Sequence, residues 1–136
     1  MLAHRLSADD ISLAAGGYLA TRTIAMPKDE NMHGDIFGGF LMAEMDLAAA
    51  IAAGRHAKSR VVTVAVDKLV FKKAVKTGNT VSCYTWIKAV GRTSMVIRVL
   101  VICKDLIGGS VHEVTEALFT MVSIDEAGKP MRVPPL

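Results

Sequence analysis

The sequence predicts a single two-layer α+β domain, in which one long helix packs against a curved antiparallel sheet of about five strands. Three observations lead to this fold class: the length of 136 residues, an alanine-rich apolar stretch at 38–56, and strand-like composition in almost everything that follows. A chain of this length is usually one domain. Because 51% of its residues are apolar, it can build a hydrophobic core without a disulfide or a metal ion.

The N-terminal part is predicted to contain one short helix, one strand and one loop. Residues 1–17 form an extension, within which 7–14 has the capping pattern of a short helix. Residues 18–26 are rich in Thr and are stopped by Pro27, which predicts the first strand. The polar residues 28–37 then predict a loop that leads into the long helix.

The long helix is apolar on nearly every face and rich in alanine, a strong helix former, so it must be covered on most sides. The strands predicted after it are 60–71, 80–90, 93–104 and 111–124. Strands joined by short turns are normally antiparallel neighbours. The edge strands of such a sheet need cover, which pairing with a second copy would supply. The domain is predicted to span 18–126, and 127–136 to form an irregular tail.

Composition excludes several classes of function. The net charge of +3 and the pI near 9.0 are only mildly basic, and one Trp and two Tyr are too few for a surface that stacks nucleic-acid bases. The charge balance instead suits a small anionic ligand. Cys83 and Cys103 lie in strand-like stretches and are predicted to be reduced, buried packing residues that lack the spacing of a zinc site. We therefore expect no metal.

A cytoplasmic location is expected, without a membrane partner. The first ten residues lack the apolar region of a signal peptide. Residues 38–54 are apolar, but Glu44 and Asp46 interrupt them, and the stretch falls short of the ~20 residues that a bilayer requires. A helix buried by protein is the better interpretation.

The segment Asn31–Gly39, with the sequence NMHGDIFGG, is the most informative part of the chain. It places Asp35 just before the glycine pair that opens the helix. The first amides of a helix have no partner within it, and the helix dipole is positive there. A carboxylate beside free amide donors can act on a carbonyl as a base or a nucleophile, while the amides hold the oxyanion. The segment therefore predicts acyl chemistry, with Asp35 as the carboxylate and Gly38 and Gly39 as donors.

Simpler interpretations stay open for the same three residues. Aspartate is a favoured N-cap, so Asp35 could do no more than cap the helix. Gly38 and Gly39 could serve only to let the helix approach the sheet closely.

Several segments between residues 18 and 125 together carry a family resemblance. They are Thr21–Thr23, Met26–Pro27, Gly34–Gly39, Met45–Asp46, Arg60–Val66 and Gly91–Ser94. The combination resembles the hotdog-fold acyl-CoA thioesterases, and more closely the small bacterial acyl-CoA hydrolases among them. The resemblance implies hydrolysis of an acyl-CoA thioester to a free acid and CoA, with no cofactor beyond the CoA of the substrate.

The resemblance also implies a hotdog fold and a homodimer with active sites at the subunit interface, often assembled further as a trimer of dimers. The family's catalytic carboxylate falls on Asp35 and its oxyanion-binding amides fall around Gly38 and Gly39. Related thioesterases of another subgroup carry the carboxylate in the helix, which makes Glu44 the reserve candidate. Thr63 lies in a strand that would pass the partner's site, where its hydroxyl would position Asp35 or the attacking water. A plain strand threonine is the alternative.

Contacts to CoA are predicted for residues around these segments. Coenzyme A carries a diphosphate and a 3′-phosphate, which Lys and Arg bind through charge-assisted hydrogen bonds. The candidates are Asn31, Phe37, Lys72, Lys73, Arg92, Thr93 and Ser94. Lys76 is a further candidate, His33 is regarded as peripheral, and Asp46 is expected to have an interface or structural role. Ordinary solvated side chains are the alternative interpretation of the lysines.

Two rival functions stay open beside hydrolysis. One is a hydratase or dehydratase of acyl thioesters on the same fold, although this loop and helix lack the His–carboxylate pairing of such sites. The other is a sensor that binds acyl-CoA without turnover. The sequence contains neither the G-x-S-x-G elbow of a serine hydrolase nor an H-E-x-x-H zinc motif.

Overall fold

The computed structural model describes residues 14–136. Its elements are β1 (Tyr18–Ile24), α1 (Gly38–Ala57), β2 (Arg60–Phe71), β3 (Thr80–Val90), β4 (Ser94–Lys104) and β5 (Val111–Ile124), with a 3-10 turn at Pro27–Asp29. The predicted long helix and the predicted strands are all present, with bounds that differ by one or two residues at most. The short helix predicted over 7–14 lies, except for Ala14, outside the described residues.

The strands form one antiparallel sheet in the order β1-β3-β4-β5-β2. The pairs β3–β4 and β4–β5 are neighbours in sequence and in space, as predicted. The expectation fails for β2 and β3, because β2 pairs with β5 and β3 pairs with β1. Their connection, residues 72–79, is not a tight turn. It runs past the start of the helix, where the carbonyl of Val75 accepts the amide of Ile36 at 2.9 Å.

The hydrophobic core lies between α1 and one face of the sheet. The helix contributes Leu41, Met45, Ala48, Ala49, Ala52, Ala53 and Ala57 as its buried residues. The sheet contributes alternate residues of β4, including Met95, Ile97 and Val99. Because side chains alternate across a strand, these residues share one face. The small alanines let the sheet approach the helix closely. One helix packed on one face of an antiparallel sheet confirms the predicted two-layer α+β architecture.

The two cysteines are free and buried, as predicted. Burial raises the pKa of the Cys83 thiol to about 11 and that of Cys103 to about 12. Both thiols are therefore protonated at neutral pH and are poor nucleophiles. Among the described residues, no helix has the length and apolar character to cross a membrane. The same part of the chain holds no cluster of His, Cys, Asp or Glu suited to a metal ion.

The two ends of the long helix lie at opposite ends of the molecule. Its 20 residues make it about 30 Å long. The loop of residues 30–37, the Asp35 loop, lies at the beginning of the helix. Its last turn, closed by Lys58 in the left-handed conformation (φ 53°), lies beside the β3–β4 turn. There the hydroxyls of Ser59 and Ser123 are 2.5 Å apart, and the amide of Ser123 donates to the carbonyl of Thr93 at 3.0 Å.

Strand β2 is one edge of the sheet and is exposed along most of its length. Val62, Val64 and Val66 are 41%, 57% and 43% exposed, respectively. A long apolar edge strand offers unpaired backbone groups to another chain, and monomeric proteins usually blunt such an edge. The position of β2 therefore supports the expectation that a second copy covers it.

The residues after β5 form no helix or strand, but they pack against the domain. The amide of Met131 donates to the carbonyl of Ser123 at 2.8 Å, and the amide of Val133 donates to that of Arg92 at 2.9 Å. Val133 is only 4% exposed and belongs to the main core. The tail is thus irregular in conformation but fixed in place.

Candidate active site

The loop before α1 is shaped by Asn31. Its side-chain carbonyl accepts the amides of His33 at 2.8 Å and of Asp35 at 3.1 Å. The backbone amide of Asn31 donates to the backbone carbonyl of Asp35 at 2.6 Å. The next residues are fixed as well, because the amide of Phe37 donates to the carbonyl of Asp29 at 2.9 Å. Asn31, predicted to contact CoA, therefore first of all holds Asp35 in position.

The carboxylate of Asp35 does not cap the helix. The N-cap residue of α1 is Phe37, which makes no side-chain capping bond. The N-cap interpretation of Asp35 is therefore wrong. Its side chain is 33% exposed and forms an ion pair with Lys76, which lies in the connection between β2 and β3. The carboxylate is thus left on the surface of a cleft, where a ligand can reach it.

Gly38 and Gly39 are the first two residues of α1, where the helix itself supplies no acceptor for the amides. Within the described part of the chain, neither amide donates to another residue. A Cβ at Gly38 would lie 3.3 Å from the ring of Phe71, whereas a Cβ at Gly39 would meet nothing within 4 Å. Close packing thus accounts for glycine at position 38 but not at position 39.

A cleft of about 360 Å³ joins Asp35 to Gly38 at the start of α1. Its lining includes Asn31, Asp35, Gly38, Phe71, Lys72 and Lys73. The structure therefore brings together Asp35, Gly38 and three of the residues predicted to contact CoA, Asn31, Lys72 and Lys73. Phe37 stands beside them at the helix start and is 52% exposed.

The connection between β2 and β3 carries three lysines with different partners, and two of them, Lys72 and Lys73, line this cleft. Lys72 donates to Glu113 at 2.7 Å, and this hydrogen bond raises the pKa of the lysine. Lys76 is paired with Asp35. Lys73 forms no ion pair with any described residue. Lys73 is therefore the lysine most readily available to a ligand phosphate.

Thr63 lies in a second cleft, between α1 and β2, rather than beside Asp35. Its hydroxyl donates to the carboxylate of Asp46 and lies 3.4 Å from the sulfur of Met121. The cleft, of about 360 Å³, is mainly apolar and is also lined by Met42, Val66, Leu69 and Phe119. Within one chain, Thr63 therefore contacts Asp46 and not the predicted catalytic carboxylate.

The pairing of Asp46 with Thr63 was not predicted from the sequence. Asp46 is seven residues after Gly39, and two helical turns bring both residues to the same exposed face of α1. The seven-residue spacing from Gly39 was the sequence signal that Asp46 lies on this face of the helix. The strand partner was not readable, because it depends on which strand lies beside this face of the helix.

Arg92, Thr93 and Ser94 are not close to Asp35 in the same chain. They form the β3–β4 turn at the end of the molecule where α1 ends, about one helix length from the Asp35 loop. If these residues bind the CoA of the same site, they must come from another copy of the chain.

Glu44, the reserve carboxylate, does not line the Asp35 cleft. It is half-buried on α1, and burial raises its pKa, with a further contribution from the negative charge of Asp29. The carboxyl therefore keeps its proton to a higher pH in the folded chain than in the unfolded chain. Above its ordinary pKa of 4.5 the unfolded chain binds fewer protons, so stability falls as pH rises through this window.

Replacing Glu44 with Gln is expected to remove this loss of stability. We expect a higher melting temperature than in the unmodified protein at neutral pH, where the carboxyl is forced to ionise. No gain is expected below the ordinary pKa, where both states are protonated. Thermal unfolding followed by circular dichroism at both pH values tests this, with exposed Glu126→Gln as the matched control. An equal shift at both pH values would show that ionisation of Glu44 is not the cause.

Comparison with known proteins identifies the family. The sequence pattern of the thioesterase superfamily matches residues 33–109. The acyl-CoA thioester hydrolase YciA of Escherichia coli strain K12 is 44% identical over 121 residues, which cover 87% of this chain and 92% of that protein. The hexameric thioesterase y2039 of Yersinia pestis is 45% identical, with a TM-score of 0.83 and coverage of 88% of this chain and 97% of that one. Cj0915, a hexameric hotdog-fold thioesterase of Campylobacter jejuni, is 40% identical, with a TM-score of 0.83 and coverage of 87% and 91%.

The family match spans Asp35, the long helix and strands β2 to β4, and the three relatives each cover 87% or 88% of this chain. The identities, the coverage of both chains and the agreement in architecture all lead to one assignment. The chain belongs to the thioesterase superfamily and has the hotdog fold.

Proposed function

We propose that this chain is an acyl-CoA thioesterase, which hydrolyses acyl-CoA thioesters to a free carboxylic acid and CoA. The observation that carries the proposal is the position of the Asp35 carboxylate in one cleft with the start of α1, where the amides of Gly38 and Gly39 have no partner. The similarity of this chain to the acyl-CoA thioester hydrolase YciA supports acyl-CoA as the substrate.

In the proposed reaction the thioester carbonyl lies against the first amides of α1. Asp35 either accepts a proton from the attacking water or attacks the carbonyl itself. In the first route the tetrahedral intermediate breaks its C–S bond, and CoA leaves as a thiolate, which takes up a proton. In the second route the same bond breaks to release CoA and leave a mixed anhydride on Asp35, which water then hydrolyses to the free acid. The amides of Gly38 and Gly39 and the positive end of the helix dipole stabilise the oxyanion in either route. Lys76 must leave Asp35 or remain beside it without blocking the carbonyl. The proposed reaction uses no metal or cofactor.

The proposed minimal unit is a homodimer that pairs along β2. Two copies related by a two-fold axis pair their edge strands antiparallel, so the Arg60 end of one β2 meets the Phe71 end of the other. The Phe71 end lies against Gly38 and the Asp35 cleft. The Arg60 end lies with Thr63 and the β3–β4 turn. This pairing would therefore bring the partner's Thr63 and Arg92 turn toward Asp35.

Replacing Val64 with Lys is expected to weaken this dimer. Val64 is 57% exposed on the edge strand, and a lysine there would place a charge in an apolar interface, where burial without a partner is costly. Sedimentation velocity and light scattering would show smaller species, and thiol release would fall with them. Ile107→Lys, at a position 90% exposed on the β4–β5 loop, is the control. An intact assembly in Val64→Lys would remove β2 as the interface.

Further assembly of three dimers into a hexamer is proposed from the hexameric relatives of Yersinia pestis and Campylobacter jejuni. The proposed location is the cytoplasm. It is consistent with two free cysteines in a small domain, since disulfides are rare in that compartment.

The first test is thiol release from short, medium and long acyl-CoA esters, run beside calorimetric binding of the same esters. Release of free CoA with formation of the acid is the expected result. Binding without release would instead indicate a sensor. When an enoyl-CoA is added to the same panel, loss of its absorbance without thiol release would indicate a hydratase.

A further inference from the structure

The β3–β4 turn, Gly91–Ser94, is held between β5 and the C-terminal tail. On one side the carbonyl of Thr93 accepts the amide of Ser123 at 3.0 Å. On the other side the carbonyl of Arg92 accepts the amide of Val133 at 2.9 Å. The tail therefore forms part of the surface around the turn that the sequence predicts to contact CoA.

The tail itself is anchored on both sides of this contact. Val133 is 4% exposed within the main core, and the carbonyl of Pro134 lies 2.7 Å from Nε2 of His56 in the last turn of α1. On the N-terminal side of the contact, the backbone amide of Met131 donates a hydrogen bond to the carbonyl of Ser123. The backbone that carries Arg132 is therefore fixed at the residues on either side of it.

Arg132 is exposed, and so is Arg92, whose backbone is bonded to the next residue of the tail. Neither arginine forms an ion pair with a carboxylate among the described residues. The nearby carboxylate of Asp125 is engaged by its own turn, since it accepts the amides of Ala127 and Lys129 at 2.9 Å each. Two guanidinium groups without carboxylate partners thus stand on adjacent segments of backbone.

We propose that Arg132 of the tail and Arg92 of the β3–β4 turn together bind the phosphate groups of coenzyme A. The inference rests on the proposed function and extends it to a residue outside the segments that carry the family resemblance. Guanidinium groups suit this ligand because their planar donor sets match phosphate oxygens and remain charged at every physiological pH. A tail held in place by Val133 reduces the conformational entropy lost on binding.

The test is the affinity for CoA and for pantetheine, which lacks the nucleotide and its phosphates, measured by calorimetry on the full chain. Arg132→Met is expected to weaken CoA binding on the order of tenfold, the usual effect of losing a charge-assisted hydrogen bond. Its effect on the affinity for pantetheine is expected to be much smaller, so the difference in affinity between CoA and pantetheine narrows. Arg132→Lys, which keeps the charge, is expected to recover part of the loss.

Lys129→Met is the matched control, because it removes one exposed positive charge from the same tail. It is expected to retain the affinity of the unmodified protein for CoA and its rate of thiol release. Equal affinities for CoA in Arg132→Met and Lys129→Met would overturn the inference. An unmodified protein that binds CoA but releases no thiol from any ester would overturn the proposed function alone, because the binding comparison does not depend on turnover.

Discussion

Replacing Asp35 with Asn is expected to lower the rate of thiol release from acyl-CoA by roughly 10²- to 10⁴-fold or more, the usual contribution of a positioned general base. The amide has nearly the shape of the carboxylate but can neither accept the proton of water nor attack the thioester. The loop should survive the change, because Asn31 holds it through the backbone of residue 35 and not through its side chain.

Steady-state thiol release and calorimetric binding of CoA to Asp35→Asn separate chemistry from binding. Glu126→Gln removes one exposed carboxylate outside the cleft and serves as the control. An active Asp35→Asn protein would transfer the catalytic role to another carboxylate, of which Glu44 is the first to test.

Replacing Gly39 with Val is expected to lower turnover on the order of 10²-fold or more, the usual effect of losing an oxyanion donor. Inside the chain the new side chain meets nothing within 4 Å at its Cβ, so the subunit should still fold. The isopropyl group would instead occupy the space through which the thioester carbonyl approaches the amide. The oligomer is expected to remain intact.

Gly54→Ala is the matched control, because it changes another glycine of the same helix, where a Cβ would have an ordinary contact of 3.6 Å with the carbonyl of Ser59. It is expected to retain activity and to be more stable by about 0.5–1 kcal/mol. Thiol release and light scattering on both variants provide the comparison. Full activity in a folded, assembled Gly39→Val protein would exclude this amide as an oxyanion donor.

Elements with a strong local pattern were predictable with accurate bounds. The helix at 38–57 follows from a run of alanines and other apolar residues, and β2, β3 and β5 follow from β-branched runs that end at turn residues. The juxtaposition of Asp35 with the helix start was predictable for the same reason. All of its parts lie within a few residues of one another, so the local chain geometry alone brings them together.

The position of β2 beside β5 was decided by the tertiary structure. The connection at 72–79 is long enough to cross the end of the sheet, and the bond between Ile36 and Val75 fixes its course. No local preference encodes that path. The pairings of Lys76 with Asp35 and of Thr63 with Asp46 depend on it, because each joins segments that are distant in sequence.

Local sequence patterns therefore predicted the secondary structure and the two-layer α+β class correctly, and they also predict acyl chemistry at the Asp35 loop. Which side chains share a cleft depends on the packing of the whole chain, and this packing puts Arg92 and Asp35 beside opposite ends of a helix about 30 Å long. This difference follows from the distances along the chain over which the interactions act. Backbone conformation and helix-end electrostatics act over a few residues, whereas strand order and the docking of the tail at Val133 depend on burial of surfaces from the whole chain.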